Sequence, residues 1–146
     1  MTETSTVLQV LVGLFLLLET ANVLALYFAP GSMRFNAVGV FGGWETSKAD
    51  PDLHAFVRYL VFWVAGTKVI FIGLWLVILT TAGPTTQLVA SVVMVPAIAT
   101  FYWRLFPIVR DLDRRGKVRP TGYSTVLGWM IGGFIAAFVV AIVVAL

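Results

Sequence analysis

Two ionisable residues lie deep inside apolar runs that are long enough to cross a membrane. Glu19 interrupts the first run and Lys68 the second; Glu19 stands nine positions before Phe28, and Lys68 nine positions after Tyr59. At about 1.5 Å per helical residue, both lie about 13 Å from the same end of their helices, near the bilayer centre. A carboxylate and an ammonium at one depth on consecutive helices are therefore expected to form an ion pair.

Further polar residues are expected around this pair. Asn22 follows Glu19 by three positions and shares its helical face. Arg104 of the third apolar run lies about level with Asn22, and its long side chain can reach either the pair or the interface. Thr20 and Thr67 flank the pair and are expected to add hydrogen bonds. The candidate polar site near the membrane midplane is thus Glu19, Asn22, Lys68 and Arg104.

Two interpretations of this cluster follow. An isolated charge at the bilayer centre costs from ~2.5 to more than 10 kcal/mol, and pairing relieves that cost. In the structural interpretation, polar contacts only hold helices together, at ~0.6 to 2 kcal/mol per hydrogen bond. In the functional one, they bind an ion, a proton or a small charged solute, and occupancy competes with the ion pair and rearranges the helices. An uncharged side chain would join helices with less desolvation, which favours the functional interpretation.

The composition of the chain shows why charged residues inside the apolar runs are unusual. Of 146 residues, 60% are hydrophobic and only 12% are charged, and the mean hydropathy is +0.96. These values predict an all-α integral membrane protein with a single domain over residues 1–146. Four transmembrane helices are expected in an antiparallel bundle, over about 6–28, 58–81, 87–109 and 123–146. The first lacks the basic flank of a secretory signal and is expected to be retained.

Turn and capping residues mark the ends of these helices. Pro30-Gly31 ends the first, and Asp50-Pro51 is typical of an N-cap followed by proline at the first helical position. A short turn over 82–86 predicts a helical hairpin. The third helix is expected to leave the membrane and end at Gly116. The connection 31–50, with four glycines and several aromatic residues, is expected to lie on the membrane surface.

The distribution of basic residues predicts the orientation. The first and third connections and the adjoining helix ends hold eight Lys and Arg residues, whereas the termini and the short turn hold none. By the positive-inside rule, both connections are cytoplasmic, both termini are extracytoplasmic, and the third helix extends into the cytoplasm, most simply at a prokaryotic plasma membrane. Four of these residues are also expected to contact anionic lipid headgroups: Arg114, Arg115, Lys117 and Arg119.

The fourth helix carries small residues at four-residue intervals. Gly128, Gly132 and Ala136 form one row, and Gly133 and Ala137 belong to a second. Such rows let helix backbones approach closely, either within the chain or between subunits, and the sequence leaves both open. Because four helices enclose little space, a transport pathway would form more easily between copies, which implies a homo-oligomer or a membrane-protein partner.

Several function classes are disfavoured by the residues present. The chain has no cysteine and a single histidine, so thiolate chemistry is excluded and a haem or metal centre is not expected. Asp50, Asp52 and His54 alternate, which does not place them on one helical face. We expect no metal, cofactor, nucleic-acid partner or enzymatic activity. The residues predict a small oligomeric transporter or channel; the alternative is a non-catalytic accessory or assembly subunit of a larger membrane complex.

Overall fold

The computed structural model describes the backbone of residues 2–146 and the side chains from Thr6 onward; Met1 lies outside the described residues. No β-strand occurs over residues 2–146. Four helical stretches are long and apolar enough to cross a membrane, the third formed by two successive helices. The prediction of an all-helical membrane protein is confirmed to this extent. The helices are α1 (Thr2–Phe28), α2 (Gly42–Ser47), α3 (Pro51–Thr81), α4 (Pro84–Ala99), α5 (Phe101–Arg114) and α6 (Tyr123–Ala145), with a 3₁₀ turn at Val38–Val40.

The main core forms where α1 meets α3, α4 and α6. Leu8, Val12 and Leu16 recur every four residues on one face of α1 and are buried, because that face turns inward. Phe138 of α6 is fully buried in the same cluster. Phe15 joins three helices through edge-on ring contacts with Phe71, Phe134 and Phe138. These contacts fix α1 between α3 and α6, which positions the middle of the helix.

The predicted capping residues are found at the start of α3 and at the end of α5. The Asp50 carboxylate accepts from the amides of Asp52 and Leu53 at 3.0 and 3.1 Å, and Pro51 is the first residue of α3. At the other, α5 ends at Arg114, and Gly116 takes a positive φ of 67°. This conformation favours glycine and closes the helix through a bond from Lys117 N to Leu112 O at 2.9 Å.

A one-residue interruption divides the predicted third helix. α4 ends at Ala99 and α5 begins at Phe101, while Thr100 keeps near-helical backbone angles of −57° and −22°. Pro96 lies one turn earlier and has no N–H to bond to the preceding turn. The expected single helix over 87–109 is therefore two successive helices that together span Pro84–Arg114.

The first connection packs against the helices at one end of the molecule. Ala37 and Val40 are fully buried, and Trp44 of α2 is only 5% exposed. The Trp44 ring lies 4.8 Å from the His54 ring, centroid to centroid, and His54 Nδ1 lies 2.8 Å from Ser47 Oγ. His54 thus serves in packing α2 against the start of α3.

A close backbone crossing shapes the same connection. The amide of Gly39 donates to Pro30 O at 3.0 Å. A Cβ at residue 39 would lie 2.0 Å from the carbonyl oxygen of Gly31, so only glycine fits. This crossing folds residues 31–39 back over the end of α1.

The first and third connections contact each other. Gly42 N donates to Lys117 O at 2.7 Å, and Arg119 N donates to Val40 O at 2.8 Å, around an antiparallel bridge between Phe41 and Val118. Both connections therefore lie at the same end of the molecule.

An acidic residue at this end fixes the start of α6. The buried Asp113 carboxylate accepts from Gly122 N at 3.0 Å, and from the amide and hydroxyl of Ser124 at 2.9 and 2.6 Å. Gly122 is the N-cap residue and Ser124 the second residue of α6, so Asp113 caps the start of this helix from another helix. Tyr123 is thereby held between two fixed neighbours.

Candidate functional site

Glu19 and Lys68, the two charges expected near the bilayer centre, meet between α1 and α3. Lys68 Nζ lies 2.7 Å from Glu19 Oε2 and 2.7 Å from Asn22 Oδ1. The side chains of Lys68 and Glu19 remain 28% and 23% exposed. The packing of α1 along α3 brings the three residues together, and the contact expected from their equal depth is present. A charged hydrogen bond of this length in a low-dielectric surrounding is stronger than its counterpart in water.

Asn22 also binds a loop segment through the other end of its amide. Its Nδ2 donates to the carbonyl oxygens of Phe35 and Asn36, the latter at 3.0 Å. Phe35 and Asn36 both have φ of 54°, a region that residues other than glycine seldom adopt. The Tyr123 hydroxyl donates to Asn36 Oδ1. Residues 33–36, termed the strap, thus run from α1 to the first turn of α6.

A cavity of about 330 Å³ opens between the strap, α1, α3 and α6. Its polar residues lie at the strap, to which Met33 and Phe35 also belong, and its other apolar residues lie along α1 and α6. The rings of Phe15 and Phe134, 5.4 Å apart, stand at the apolar end. The polar lining comprises Glu19, Asn22, Asn36, Lys68 and Tyr123, and the apolar lining comprises Phe15, Leu18, Met33, Phe35, Val126, Leu127, Met130 and Phe134.

The ion pair keeps unused hydrogen-bonding capacity. Lys68 carries three N–H donors, of which two are used, by Glu19 and Asn22. Glu19 bonds through Oε2, and its Oε1 has no hydrogen-bond partner in the described part of the chain. Each member can therefore accept a new partner without first losing the other.

Three residues that the sequence placed near the pair lie elsewhere or bond elsewhere. Arg104 is exposed, its guanidinium stands over the Trp103 ring at 4.9 Å, and it does not line the cavity. A guanidinium gains from the ring face while remaining outside the bundle, which explains its position. The hydroxyls of Thr20 and Thr67 donate to carbonyls of their own helices, Leu16 O at 2.7 Å and Val64 O at 2.8 Å, instead of to the pair.

Most of the small residues in the predicted rows of α6 line an open groove beside α5. A Cβ at Gly128 would lie 2.9 Å from the Phe106 ring, and one at Gly132 would lie 3.0 Å from the Tyr102 hydroxyl. These two glycines therefore admit side chains of α5 from the same chain. Gly133 has nothing within 4 Å of such a position. Gly128, Gly132, Gly133 and Ala136 line an open groove of about 580 Å³ between α5 and α6, and Ala137 is half-buried.

The basic cluster of the third connection lies on the surface. Arg114, Arg115, Lys117 and Arg119 are all exposed, and Arg115 pairs with Asp111. Among the described residues, no group of three His, Asp or Glu side chains is arranged to hold a metal.

Several polar contacts were not predicted from the sequence. Asn36 and Tyr123 reach the cavity because a loop and a helix end meet there, and local spacing gives no sign of that. At the opposite end, Gln87 is only 4% exposed. Its Nε2 donates to Ala82 O at 3.0 Å, and its Oε1 accepts from Gln9 Nε2 at 2.9 Å. An amide within an apolar run was the available signal, since a buried amide needs partners.

No protein-family model, curated protein or solved structure matches this chain.

Proposed function

We propose that the protein is a small transporter or channel of the membrane, and that its substrate binds in the cavity beside Glu19 and Lys68. The observation that carries this proposal is an ion pair within two apolar, membrane-length helices that lines a cavity instead of being sealed in the core. Ionisable groups in such helices are costly and commonly mark substrate or ion routes. A purely structural contact would gain nothing from an open cavity beside it.

The size of the cavity favours a small charged solute over a bare ion. A volume of about 330 Å³ lies within the usual range for small-molecule pockets, about 300 to 1,000 Å³. In the proposed mechanism, a charged group of the solute competes for Lys68 or Glu19. The contact between Glu19 and Lys68 weakens as the solute takes part of the bonding of one member, and α1 and α3 adjust. Protonation of Glu19 would weaken the same contact and couple proton movement to occupancy.

The arrangement of the helices supports an antiparallel bundle. Along α1 and α3, contacts join Phe15 with Phe71, Glu19 with Lys68, and Tyr27 with Phe62. Residue numbers rise on one helix as they fall on the other. The hydrogen bonds between the first and third connections also support four alternating spans.

We further propose that this end is cytoplasmic and that both termini are extracytoplasmic, since it carries the excess of basic residues. The end of α5 then projects into the cytoplasm, and Arg114, Arg115, Lys117 and Arg119 face anionic lipid headgroups of a prokaryotic plasma membrane.

A homo-oligomer fits the transport proposal. Gly133 and Ala136 leave a groove on α6 that a helix of a second copy can enter. Such an arrangement would enclose a pathway that four helices alone do not provide.

The proposal is tested by flux into liposomes that contain the purified protein, across a panel of ions and small solutes at several pH values. We expect a saturable flux in wild type that falls at least about tenfold in Glu19→Gln, since the variant loses the carboxylate that competes for Lys68. Glu45→Gln is the matched control, because Glu45 forms an exposed pair with Lys48 and should leave the flux unchanged. Equal flux in Glu19→Gln and wild type, or no flux of any species tested, would contradict the proposal.

The groove on α6 also favours a second candidate, an accessory or assembly subunit that binds a partner helix there. The mass of the protein in detergent separates the two. A homo-oligomer supports transport, whereas a monomer that recruits another membrane protein through α6 supports the accessory role.

A further inference from the structure

The polar groups of the cavity lie at its strap end, beside the apolar strap residues Met33 and Phe35, and its other end is apolar. Asn36 and Tyr123 lie at the strap end, and the Glu19 and Lys68 pair lies next to them. The rings of Phe15 and Phe134 occupy the other end, 5.4 Å apart. A ligand that fills this space must present a polar group toward the strap and an apolar group toward the rings, because each end would otherwise lose solvation without compensation.

The polar end is electrically neutral but carries both signs. The Lys68 ammonium and the Glu19 carboxylate cancel each other across 2.7 Å. A ligand with a single charge would leave one net charge in a low-dielectric surrounding, and that is expensive at this depth. A ligand with one charge of each sign leaves the net charge at zero.

The unused bonding capacity matches such a ligand on both sides. One N–H of Lys68 is free to donate to a ligand anion, and Oε1 of Glu19 is free to accept from a ligand cation. The ligand's two charged groups would therefore lie beside the existing pair, and the four groups would form a square of alternating charges. Each of the four groups then has two opposite neighbours.

We propose that the cavity binds a small amphipathic zwitterion, with an ammonium and a carboxylate at one end and an apolar group at the other. Its carboxylate contacts Lys68, its ammonium contacts Glu19, and its apolar group lies against Phe15 and Phe134. The proposal rests on the proposed function, whose binding cavity it shares, and narrows the substrate to the class of apolar α-amino acids.

Equilibrium binding of L-phenylalanine to the full chain in lipid nanodiscs tests this assignment. The matched competitors are phenethylamine, which has only the ammonium, and 3-phenylpropionate, which has only the carboxylate. We expect L-phenylalanine to bind at least about tenfold more tightly than either, since each competitor leaves one unpaired charge. Glycine, which lacks the apolar group, should also bind more weakly.

Two variants locate the binding to the pair. Glu19→Gln and Lys68→Met should each weaken L-phenylalanine binding by about tenfold or more, while Lys48→Met, at the exposed pair with Glu45, should not. The thermal midpoint of each variant is measured in the same nanodiscs, so that an unfolded variant is recognised. Phe15→Ala provides a second test that leaves the charges intact and should weaken binding through the apolar end.

The result that would overturn the proposal is no saturable binding of L-phenylalanine, equal binding of a singly charged analogue, or binding unchanged in Glu19→Gln, Lys68→Met and Phe15→Ala alike. Binding in nanodiscs needs no transport, so the two proposals can fail separately. Binding without uptake would remove the transport function and keep the ligand class. Glu19-dependent flux of an ion, without L-phenylalanine binding, would keep the transport function and remove the proposed ligand class.

Discussion

Lys68→Met is expected to lower the free energy of unfolding by about 2 to 3 kcal/mol, because Glu19 then keeps its charge at membrane depth without a partner. Breaking a well-buried pair by removing one member costs about 3 to 5 kcal/mol, and the partial exposure of this pair reduces the loss. The helices should still form, since the apolar contacts around Phe15 and Phe138 are untouched. The measurement is reversible unfolding in mixed detergent micelles.

The same measurement on the double variant Glu19→Gln/Lys68→Met tests the cause of this loss. Replacing both charges removes the uncompensated carboxylate, so at least half of the lost stability should return. Lys48→Met serves as the control, because it breaks an exposed pair and should change stability by no more than about 0.5 kcal/mol. If Lys68→Met were as mild as Lys48→Met, the charges would not be coupled in the way the 2.7 Å contact implies.

Asn22→Leu is expected to free the strap without unfolding the helices. The buried amide of Asn22 accepts from Lys68 and donates to the carbonyls of Phe35 and Asn36. Leucine is of similar size and can make none of these bonds, so the strap loses its hydrogen bonds to α1 and keeps the one from Tyr123. Each lost hydrogen bond weakens the closed strap by about 0.5 to 1.5 kcal/mol, and opening should become at least about tenfold more frequent.

Cysteine labelling measures this opening directly, because the chain has no cysteine of its own. Ala37 is fully buried directly after the strap, and Ala65 of α3 is fully buried in the same cluster. In the Asn22→Leu background, maleimide should react at least about tenfold faster with Ala37→Cys, and its rate with Ala65→Cys should not change. Thr20→Val is the control on α1 and should leave both rates unchanged. A similar acceleration at both cysteines would indicate general loosening and would refute a local role for Asn22.

The parts of the site that lie on regular helices were predictable from the sequence. Glu19 and Lys68 were paired by depth alone, because a helix advances a fixed distance per residue and the hydrophobic runs give both helices a common boundary. Asn22 followed from its position on the same face as Glu19. The capping residues Asp50 and Gly116 could be predicted equally well, since their roles depend on local backbone geometry.

Contacts that depend on tertiary placement were not predictable in the same way. Depth placed Arg104 near the pair, but depth does not determine which way a side chain on a third helix points, and the arginine lies over Trp103. The strap could not be anticipated either. It arises from two consecutive residues with positive φ, and from a tyrosine that belongs to a helix 87 positions further along the chain than Asn36.

The most direct test of the central claim, that a solute competes for the ion pair that lines the cavity, is solute uptake by Glu19→Gln/Lys68→Met at equal protein density in liposomes. This variant has no unpaired charge in the bundle, so it should keep at least half of the stability that Lys68→Met loses, and a loss of uptake in the folded variant is not due to unfolding. We expect uptake to fall to the level of protein-free liposomes. Uptake at the wild-type rate in a folded double variant would mean that the pair only joins two helices.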